Sequence, residues 1–367
     1  MMKPQAPTSE ELVARAAALV PMLRRNALEA ERLRRLPDEN IEALHEAGLL
    51  RICRPAHRGG SGSEPGTVAR VVRHIASGCP ATAWVSMIYN TVVHLAELLP
   101  AQALDEIYDQ PDPRIAAVFG RTGAVMDPVD GGYRVRGGGR WPFNSGCHHA
   151  HWDLLRVDLA QPDGSLAPAF AIVPIGDLTI LDDWHVMGAT GTGSSTVTCG
   201  EIFVPAHRVA PLFSAPIREA VPADVVMGQN VALPLGMADF ALEAFLDMAK
   251  GQGISHLAYE RMLDSAQVQT AISRAQVNIK LIEAFQYWMQ SGVDSGDPKL
   301  LLATGTACFR LGREAIQALY EAAPSPVIGL GYPLQRLLRD AYAFEHQHAF
   351  SSFIGHELYG RHAVAET

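Results

Sequence analysis

The sequence lacks long apolar runs and paired cysteines. No apolar run among its 367 residues reaches the roughly eighteen residues that a membrane-spanning helix requires. The N-terminal stretch also lacks the apolar core of a secretory signal peptide. No C-x-x-C motif occurs, and an odd number of cysteines argues against a complete set of disulfides. We therefore predict a cytoplasmic protein with no membrane segment, whose cysteines are small core residues: Cys53, Cys79, Cys147, Cys199 and Cys308.

The sequence also lacks an excess of positive charge. Its 30 Lys and Arg residues are scattered and outnumbered by 39 Asp and Glu residues, which gives a net charge of −9. A basic stripe is the usual mark of a nucleic-acid-binding surface, so we expect no nucleic-acid partner. Apolar residues are abundant: they make up 48 % of the chain, against 19 % charged residues, which is typical of a globular protein with sizeable cores.

The chain divides into three zones that differ in the spacing of apolar residues and in glycine content. Residues 1–112 have the apolar spacing of helices, and Thr8 with the acids after it is a typical helix start. Residues 113–212 are rich in glycine and in short alternating stretches, which predicts strands and turns. Residues 213–367 return to helical spacing. This order predicts an α+β fold with a domain for each zone.

Glycine and proline mark the ends of the predicted elements. Gly131-Gly132 predicts a hairpin turn before a strand at Tyr133–Arg136. Further strands are predicted at Leu154–Leu159, Ala169–Val173, Leu178–Leu181 and Thr196–Val204. Long helices of the last zone are predicted at Ala223–Lys250, Ser265–Ser291, Pro298–Glu321 and Leu334–Tyr359.

Four motifs occur in a characteristic order on this frame. They are Gly48-Leu49-Leu50 with Ala83-Trp84-Val85 downstream, Gly139–Gly146, Trp184–Pro205 and Leu334–His348. Together they resemble the acyl-CoA dehydrogenase superfamily, and most closely its monooxygenase branch, the two-component hydroxylases of the dibenzothiophene-monooxygenase and hydroxyphenylacetate-hydroxylase kind. The resemblance implies an N-terminal helical domain, a central β-barrel or sheet domain and a C-terminal four-helix bundle.

The same resemblance implies a reaction and its partners. Enzymes of this branch use reduced flavin (FMNH2 or FADH2) and O2, through a C4a-hydroperoxyflavin, to hydroxylate a small aromatic, heteroaromatic or amine substrate. Gly137-Gly138-Gly139 lies between two predicted strands and is therefore not a dinucleotide-binding fingerprint. Without a nicotinamide site, a separate NAD(P)H–flavin reductase is implied. A homotetramer, or dimer of dimers, is implied as well.

One departure from the dehydrogenase pattern bears on this reaction. Acyl-CoA dehydrogenases often carry their catalytic carboxylate in a Glu-Gly-Thr run after an Arg-Asp pair, but here Arg339-Asp340 is followed by Phe344-Glu345-His346-Gln347-His348. Glu345 would be the base of the alternative function, an acyl-CoA dehydrogenase-like flavin dehydrogenase or oxidase on a non-CoA or acyl substrate. Histidine at this place resembles the monooxygenase branch. We predict His348 as the acid–base residue, with His346 as the alternative.

The turn Phe143-Asn144-Ser145-Gly146 is the first candidate flavin contact. The resemblance implies that Ser145 is a catalytic residue, the hydrogen-bond partner of the flavin N5 proton, with Asn144 beside it. Trp141 and Phe143, at i and i+2, are expected to share one side of a strand and to form a wall against the flavin. The alternative is an ordinary β-turn next to core aromatic residues.

Trp184 and the turn Thr192-Gly193-Ser194 form the second candidate flavin segment. Small hydroxyl side chains suit hydrogen bonds to flavin carbonyls or phosphate, although a glycine-rich hairpin is an equally simple interpretation. Arginine matches phosphate geometry. We include Arg261 in the predicted cofactor site, and the further candidates, each otherwise a surface charge, are Arg121, Arg336 and Arg339.

Other histidines give one more catalytic candidate and one rejected metal site. His94 follows Ala83-Trp84-Val85 on the same predicted helix, where the monooxygenase branch often has a histidine near the substrate. In His148-His149-Ala150-His151, two rings would share a face of a strand, but the spacing supplies no third ligand. We therefore predict no metal, and expect these histidines to line the substrate pocket or a subunit contact.

Overall fold

The N-terminal part of the computed structural model is helical, and the structure describes residues 7–212, 222–290, 298–347 and 352–365. The first helix has the predicted cap: the Thr8 hydroxyl accepts from Glu11 N–H, and the Glu11 carboxylate accepts from Thr8 N–H. The helices are α1 (Ser9–Leu33), α2 (Asp38–Glu46), α3 (Pro65–Gly78), α4 (Pro80–Ala96) and α5 (Ala101–Tyr108).

The central part consists of two mixed or antiparallel sheets. The strands are β1 (Ile115–Val118), β2 (Val125–Val129), β3 (Gly132–Val135), β4 (Gly139–Trp141), β5 (Trp152–Ala160), β6 (Leu166–Pro174), β7 (Thr179–Ile180), β8 (Val197–Cys199), β9 (Phe203–Pro205) and β10 (Val209–Pro211). The larger sheet has the order β10-β6-β5-β2-β3-β9, with β1 parallel to β5, and the smaller has the order β4-β8-β7. The single strand predicted at Thr196–Val204 is wrong, because the chain bends at Gly200 and Glu201 and passes from one sheet to the other.

The C-terminal part is helical again. Its helices are α6 (Ala223–Ala249), α7 (Ala266–Gln290), α8 (Pro298–Ala322), α9 (Pro333–Glu345) and α10 (Ser352–Ala365). The single helix predicted at Leu334–Tyr359 is therefore wrong. It stops at Glu345 because His346 leaves the helical conformation, with φ −90° and ψ 0°, and its N–H tightens the last turn.

The two helical parts share one hydrophobic core. Buried residues of α3, such as Ile75, pack with buried residues of α6, such as Leu235, in the same cluster. The helices approach closely at Gly236, where an added Cβ would lie 2.2 Å from the Arg73 carbonyl oxygen. The sheets have a core of their own, and a further cluster joins β1, β5 and β6 to α4 and α5. The predicted α+β order, with helical parts before and after a β part, is confirmed. None of the helices in the described ranges combines the length and apolar character needed to cross a bilayer.

Candidate active site

The turn Phe143–Gly146 lies where the β part meets α4. It is attached to the second predicted segment through its backbone: Asn144 N–H donates to Ser195 O at 3.3 Å, and Gly146 N–H donates to Thr192 O at 3.1 Å. Gly146 has φ +78°, and an added Cβ would lie 2.9 Å from Val85 Cγ1 on α4. A side chain at position 146 would therefore push the turn away from α4.

A continuous chain of hydrogen bonds runs through this turn. Trp84 Nε1 donates to Ser145 Oγ at 3.0 Å, and Ser145 Oγ lies 2.7 Å from Ser194 Oγ. Ser194 Oγ lies 2.7 Å from Thr192 Oγ1, which donates to Ala189 O, also at 2.7 Å. All three hydroxyl-bearing residues are buried. Residues from α4, the β4–β5 connection and the β7–β8 connection thus form one polar unit, which we call the hydroxyl chain.

Two aromatic rings stand beside the hydroxyl chain. Phe143 is 72 % exposed, which is unusual for phenylalanine, and its ring meets Trp184 edge-on with centroids 5.9 Å apart. Trp184 is held by its indole N–H, which donates to Thr190 O at 3.1 Å. The pair forms an apolar wall open to the outside next to Ser145.

Trp141 does not join this wall. It is only 1 % exposed, lies in the core of the β part, and donates its indole N–H to Arg156 O at 2.9 Å. The expectation that Trp141 and Phe143 share a face was wrong for a local reason. Strand β4 ends at Trp141, and Phe143 has φ +61°, so the alternation of a strand does not extend to it.

Behind the turn lies a buried carboxyl group. Asn144 is fully buried, and its side-chain amide donates to Asp153 Oδ2 at 2.5 Å. Burial raises the pKa of Asp153 to about 7, although the bond from Asn144 opposes this shift. Asn144 Oδ1 and Asp153 Oδ1 are both buried without a partner among the described residues. A proton on Asp153 would supply the missing donor, so Asn144 supports the turn from within and does not face a ligand.

Helix α9 docks on the other end of the hydroxyl chain. Ala189, whose carbonyl oxygen ends the chain, donates its N–H to Asp340 Oδ1 at 2.7 Å. Burial raises the pKa of Asp340 to about 6, against the effect of this N–H and of the two neighbouring guanidinium groups. Arg339 reaches Glu31 on α1 at 2.7 Å and Met187 O at 2.8 Å. One helix therefore fixes the loop that carries Trp184 and Thr192 to both helical parts.

With the geometry established, comparisons with known proteins place the chain. The family model of the acyl-CoA dehydrogenase N-terminal domain matches residues 8–99, and that of the acyl-CoA dehydrogenase C-terminal domain matches residues 230–353. The oxygenase subunit HsaA of a flavin-dependent monooxygenase from Rhodococcus jostii (strain RHA1) is 32 % identical over 359 residues, which cover 90 % of this chain and 92 % of the relative. The chain belongs to the acyl-CoA dehydrogenase family.

Its relatives in that family are monooxygenases. The oxygenase component of FADH2-dependent resorcinol hydroxylase from Rhizobium sp. (strain MTP-10005) is 28 % identical over 370 residues, 90 % of this chain and 88 % of that protein. The solved structure of XiaF from Streptomyces sp., in complex with FADH2 and glycerol, superposes with a TM-score of 0.85 at 28 % identity, covering 96 % and 94 % of the two chains. The chain is thus the oxygenase component of a flavin-dependent monooxygenase.

The residues around Ser145 suit a flavin of this family. A flat heteroaromatic ring needs an apolar surface and hydrogen-bonding partners at its edge. The exposed Phe143–Trp184 pair supplies the surface, and Ser145 supplies an oxygen with one lone pair free after it has accepted from Trp84. The two predicted flavin segments are therefore adjacent in the structure.

The four candidate arginines differ in whether their charge is already paired. Arg261 is exposed and bound to Asp264, and Arg121 is bound to the buried Asp158 at 2.8 Å. Arg339 is bound to Glu31, as described above. Arg336 is only 7 % exposed, its Nε atom is buried without a hydrogen-bond partner among the described residues, and its charge lies near the Asp340 carboxyl.

The two candidate histidines that the structure describes, His94 and His346, have no contact with Ser145. His94 lies on α4 ten residues after Trp84, about 15 Å along the helix axis, and burial lowers its pKa. His346 is exposed at the end of α9, where its Nδ1 lies 2.8 Å from Tyr342 O. His348 lies outside the described residues. The structure thus separates His94 from the hydroxyl chain.

The histidines of the segment after the turn hydrogen-bond to other parts of the chain. His148 Nε2 lies 3.1 Å from Ser195 Oγ, and His149 Nε2 lies 2.9 Å from Leu36 O. His151 Nδ1 accepts from Arg114 N–H at 3.1 Å. No group of three or more metal-ligating side chains occurs in the described part of the chain. Of these histidine contacts, only that of His149 joins the β part to the N-terminal helical part. That these histidines line the substrate pocket or a subunit contact stays a prediction.

Glu345, the base of the alternative dehydrogenase function, already has a partner. Its carboxylate forms a short ion pair with Arg313 of α8, and both side chains are largely buried. The pair lies between two helices of the C-terminal part. A carboxylate held in this way is poorly placed to remove a proton from a substrate.

Sequence reasoning assigned no role to Trp84 or Asp153. A buried tryptophan needs a partner for its indole N–H, and Trp84 follows Ala83 in a nearly uninterrupted apolar helix, so a bond to another part of the chain was to be expected. Asp153 is one of two acids in the largely apolar strand Trp152–Ala160, which is also a detectable signal. Neither signal predicts which residue is the hydrogen-bond partner.

Proposed function

We propose that this oxygenase component hydroxylates a small aromatic substrate, with heteroaromatic and amine compounds as further candidates. Resorcinol hydroxylase, p-hydroxyphenylacetate 3-hydroxylase and indole-3-acetate monooxygenase are among its relatives, and all three names refer to aromatic substrates. The observation that carries the proposal is the hydroxyl chain that ends at Ser145 beside the exposed Phe143–Trp184 pair. It offers a polar edge and an apolar wall at one place.

In this proposal the residues of the chain position and protect the reacting groups. Bound reduced flavin supplies two electrons, so that one atom of O2 enters the substrate and the other leaves as water. Ser145 Oγ accepts a hydrogen bond from the flavin N5–H, which keeps this hydrogen on N5. Phe143 and Trp184 cover one side of the flavin and exclude water. His348 remains our predicted acid–base residue.

Rapid mixing of the protein with oxygen tests the flavin chemistry without knowledge of the substrate. The protein is loaded with chemically reduced FMN or FAD and mixed with oxygenated buffer. We expect a transient near-ultraviolet absorption that matches neither reduced nor oxidised flavin, and incorporation of labelled oxygen into a phenolic substrate such as resorcinol. Oxidised flavin that appears as fast with the protein as in buffer alone would overturn the proposal.

For the flavin phosphate we propose Arg336, in place of Arg261. The buried Nε of Arg336 has no hydrogen-bond partner among the described residues, which is costly, and an anionic ligand group would remove that cost. Arg336, Asp340 and Phe344 lie on one face of α9, and the Phe344 ring is 5.2 Å from that of Trp84. Arg336 is thus about 12 Å along the helix axis from Phe344, whose ring packs against Trp84.

Comparison of FMN with riboflavin tests this assignment. In Arg336→Gln, we expect reduced FMN to bind about ten to a hundred times more weakly, as for loss of a charge-assisted hydrogen bond. Reduced riboflavin has no phosphate and should bind both proteins equally. Arg261→Gln is the matched control with an exposed, already paired guanidinium. An equal loss for both flavins would contradict a phosphate contact.

A separate NAD(P)H–flavin reductase is the proposed source of reduced flavin, since two relatives are named as the oxygenase part of a larger system. We further propose a homotetramer, or dimer of dimers, built through the C-terminal helices. Helix α7 supports this, because Val277 and Leu281 share a face and are more than half exposed. Light scattering of a Val277→Glu/Leu281→Lys variant should then give a smaller mass than the unaltered protein, and an unchanged mass would count against this face.

A further inference from the structure

The hydroxyl chain has two ends with fixed chemical character. At one end the Ala189 carbonyl oxygen can only accept, and at the other the Trp84 indole N–H can only donate. Between them stand three hydroxyl groups, each with a single hydrogen to donate. The ends therefore determine the direction in which all three hydrogens point.

Counting from Ala189 gives a unique arrangement. Thr192 Oγ1 lies 2.7 Å from Ala189 O, and two oxygens at this distance require a hydrogen between them, so Thr192 donates to Ala189. Ser194 must then donate to Thr192, and Ser145 must donate to Ser194. The reverse order would leave the Thr192 and Ala189 oxygens facing each other without a hydrogen. That arrangement is repulsive in a buried site.

This order of donors and acceptors determines which hydrogen-bonding group Ser145 can offer to a ligand. Its hydrogen is committed to Ser194, and one of its lone pairs accepts from Trp84. What remains for a ligand is a lone pair. Ser145 therefore meets a bound ring as a hydrogen-bond acceptor and not as a donor.

This polarity distinguishes the two redox states of a flavin. Reduced flavin carries a hydrogen on N5, whereas oxidised flavin has only a lone pair there. We propose that Ser194 and Thr192 are positioning residues that orient the Ser145 hydroxyl as an acceptor, and that the site thereby prefers reduced over oxidised flavin. The inference rests on the proposed function, because it takes Ser145 to lie at flavin N5. It adds a physical reason why the product flavin leaves.

Binding measurements on both redox states test the inference. The dissociation constants of reduced and oxidised FMN are measured by anaerobic fluorescence titration, and their ratio is compared between variants. In Ser194→Ala the Ser145 hydrogen loses its acceptor and becomes free to donate to oxidised flavin. We expect the preference for reduced FMN to fall about tenfold, as for one hydrogen bond.

Matched variants separate orientation from general damage. Thr192→Val removes the hydroxyl at nearly constant shape and should lower the preference in the same direction, whereas Thr192→Ser keeps the hydroxyl and should retain it. This pair carries the test if Ser194→Ala fails to fold. Ser195→Ala is the control, because Ser195 is equally buried but bonds to His148 outside the hydroxyl chain.

The outcomes distinguish this inference from the proposed function. An unchanged preference in both Ser194→Ala and Thr192→Val, with tight binding of reduced FMN, would overturn the inference alone. No binding of either redox state to the unaltered protein, with FMN or with FAD, would overturn the proposed function and the inference together. A lower preference in both variants, with the Thr192→Ser and Ser195→Ala proteins unchanged, is the result we expect.

Discussion

The two sides of the turn Phe143–Gly146 are built from different chemistry. In front, neutral hydroxyl groups form a chain in which every hydrogen has an acceptor, from Ser145 to Ala189. Behind, the side chains of Asn144 and Asp153 share one hydrogen bond, and one oxygen of each has no partner among the residues that the structure describes. Both sides are buried, so exposure to solvent does not explain why their hydrogen bonding differs.

This difference in hydrogen bonding indicates which side of the turn suits a ligand. A neutral chain with saturated hydrogen bonds tolerates an apolar, water-free environment and can present a defined polarity to a ring. A buried carboxyl is tolerated there only when it is neutral, which ties the back of the turn to pH. We therefore expect changes behind the turn to alter stability, and changes in front to alter flavin chemistry.

The largest expected effect lies behind the turn, at Asp153. Because its pKa is raised from 3.8 to about 7 in the folded protein, the folded state holds a proton that the unfolded chain has released. Stability from this group is therefore full below about pH 4 and is lost as the pH rises through 7, by roughly 4 kcal/mol in all. Asp153→Asn mimics the neutral acid. We expect it to remove most of this loss.

Urea denaturation of both proteins near pH 5 and near pH 8 measures this effect. The free energy of unfolding of Asp153→Asn, relative to that of the unaltered protein, should be more favourable at pH 8 than at pH 5. Asp340 also has a raised pKa, but its contribution is present in both proteins and cancels. A difference that is the same at the two pH values would show that Asp153 is already charged in the folded protein.

A smaller effect is expected in front of the turn, at Ser145. Ser145→Ala removes the acceptor that we assign to the flavin N5 hydrogen, so the bound reduced flavin should react with O2 without transferring oxygen to the substrate. We expect product formed per O2 consumed to fall about tenfold, with hydrogen peroxide released in its place. Simultaneous assay of product and peroxide measures this. An unchanged ratio in the Ser145→Ala protein would exclude the assigned contact.

Much of this arrangement was open to prediction from sequence. The order of helical and β zones follows from apolar spacing, which depends only on local periodicity. The segments around Ser145 and Thr192 were both identified as candidate flavin contacts from the family resemblance, whereas their glycine and small polar residues are local signals of turns only. The hairpin after Gly131 and the cap at Thr8 were predicted for the same local reasons.

The remainder depended on contacts between distant parts of the chain. That Ser145 and Ser194 share a hydrogen bond follows from the backbone pairing of Gly146 with Thr192, which no local pattern encodes. The orientation of Phe143 failed as a prediction because a single positive φ reverses the side of the chain on which a side chain lies. Whether the charge of Arg336 is paired likewise depends on which acids fold near it, and this cannot be known from local sequence.

The smallest expected effect is at Trp84, and it tests where the polarity of the hydroxyl chain is set. Trp84→Phe removes the indole N–H at Ser145 and retains a ring against Phe344. We expect a loss of stability of about 1 kcal/mol for one buried hydrogen bond. The preference for reduced flavin should persist, because the direction of the hydroxyl chain is fixed at Ala189. Trp141→Phe is the control, since it removes a comparable bond to Arg156 within the β core. If Trp84→Phe abolished the preference while Trp141→Phe retained it, the direction of the hydroxyl chain would be set by the Trp84 N–H and not by the Ala189 carbonyl oxygen.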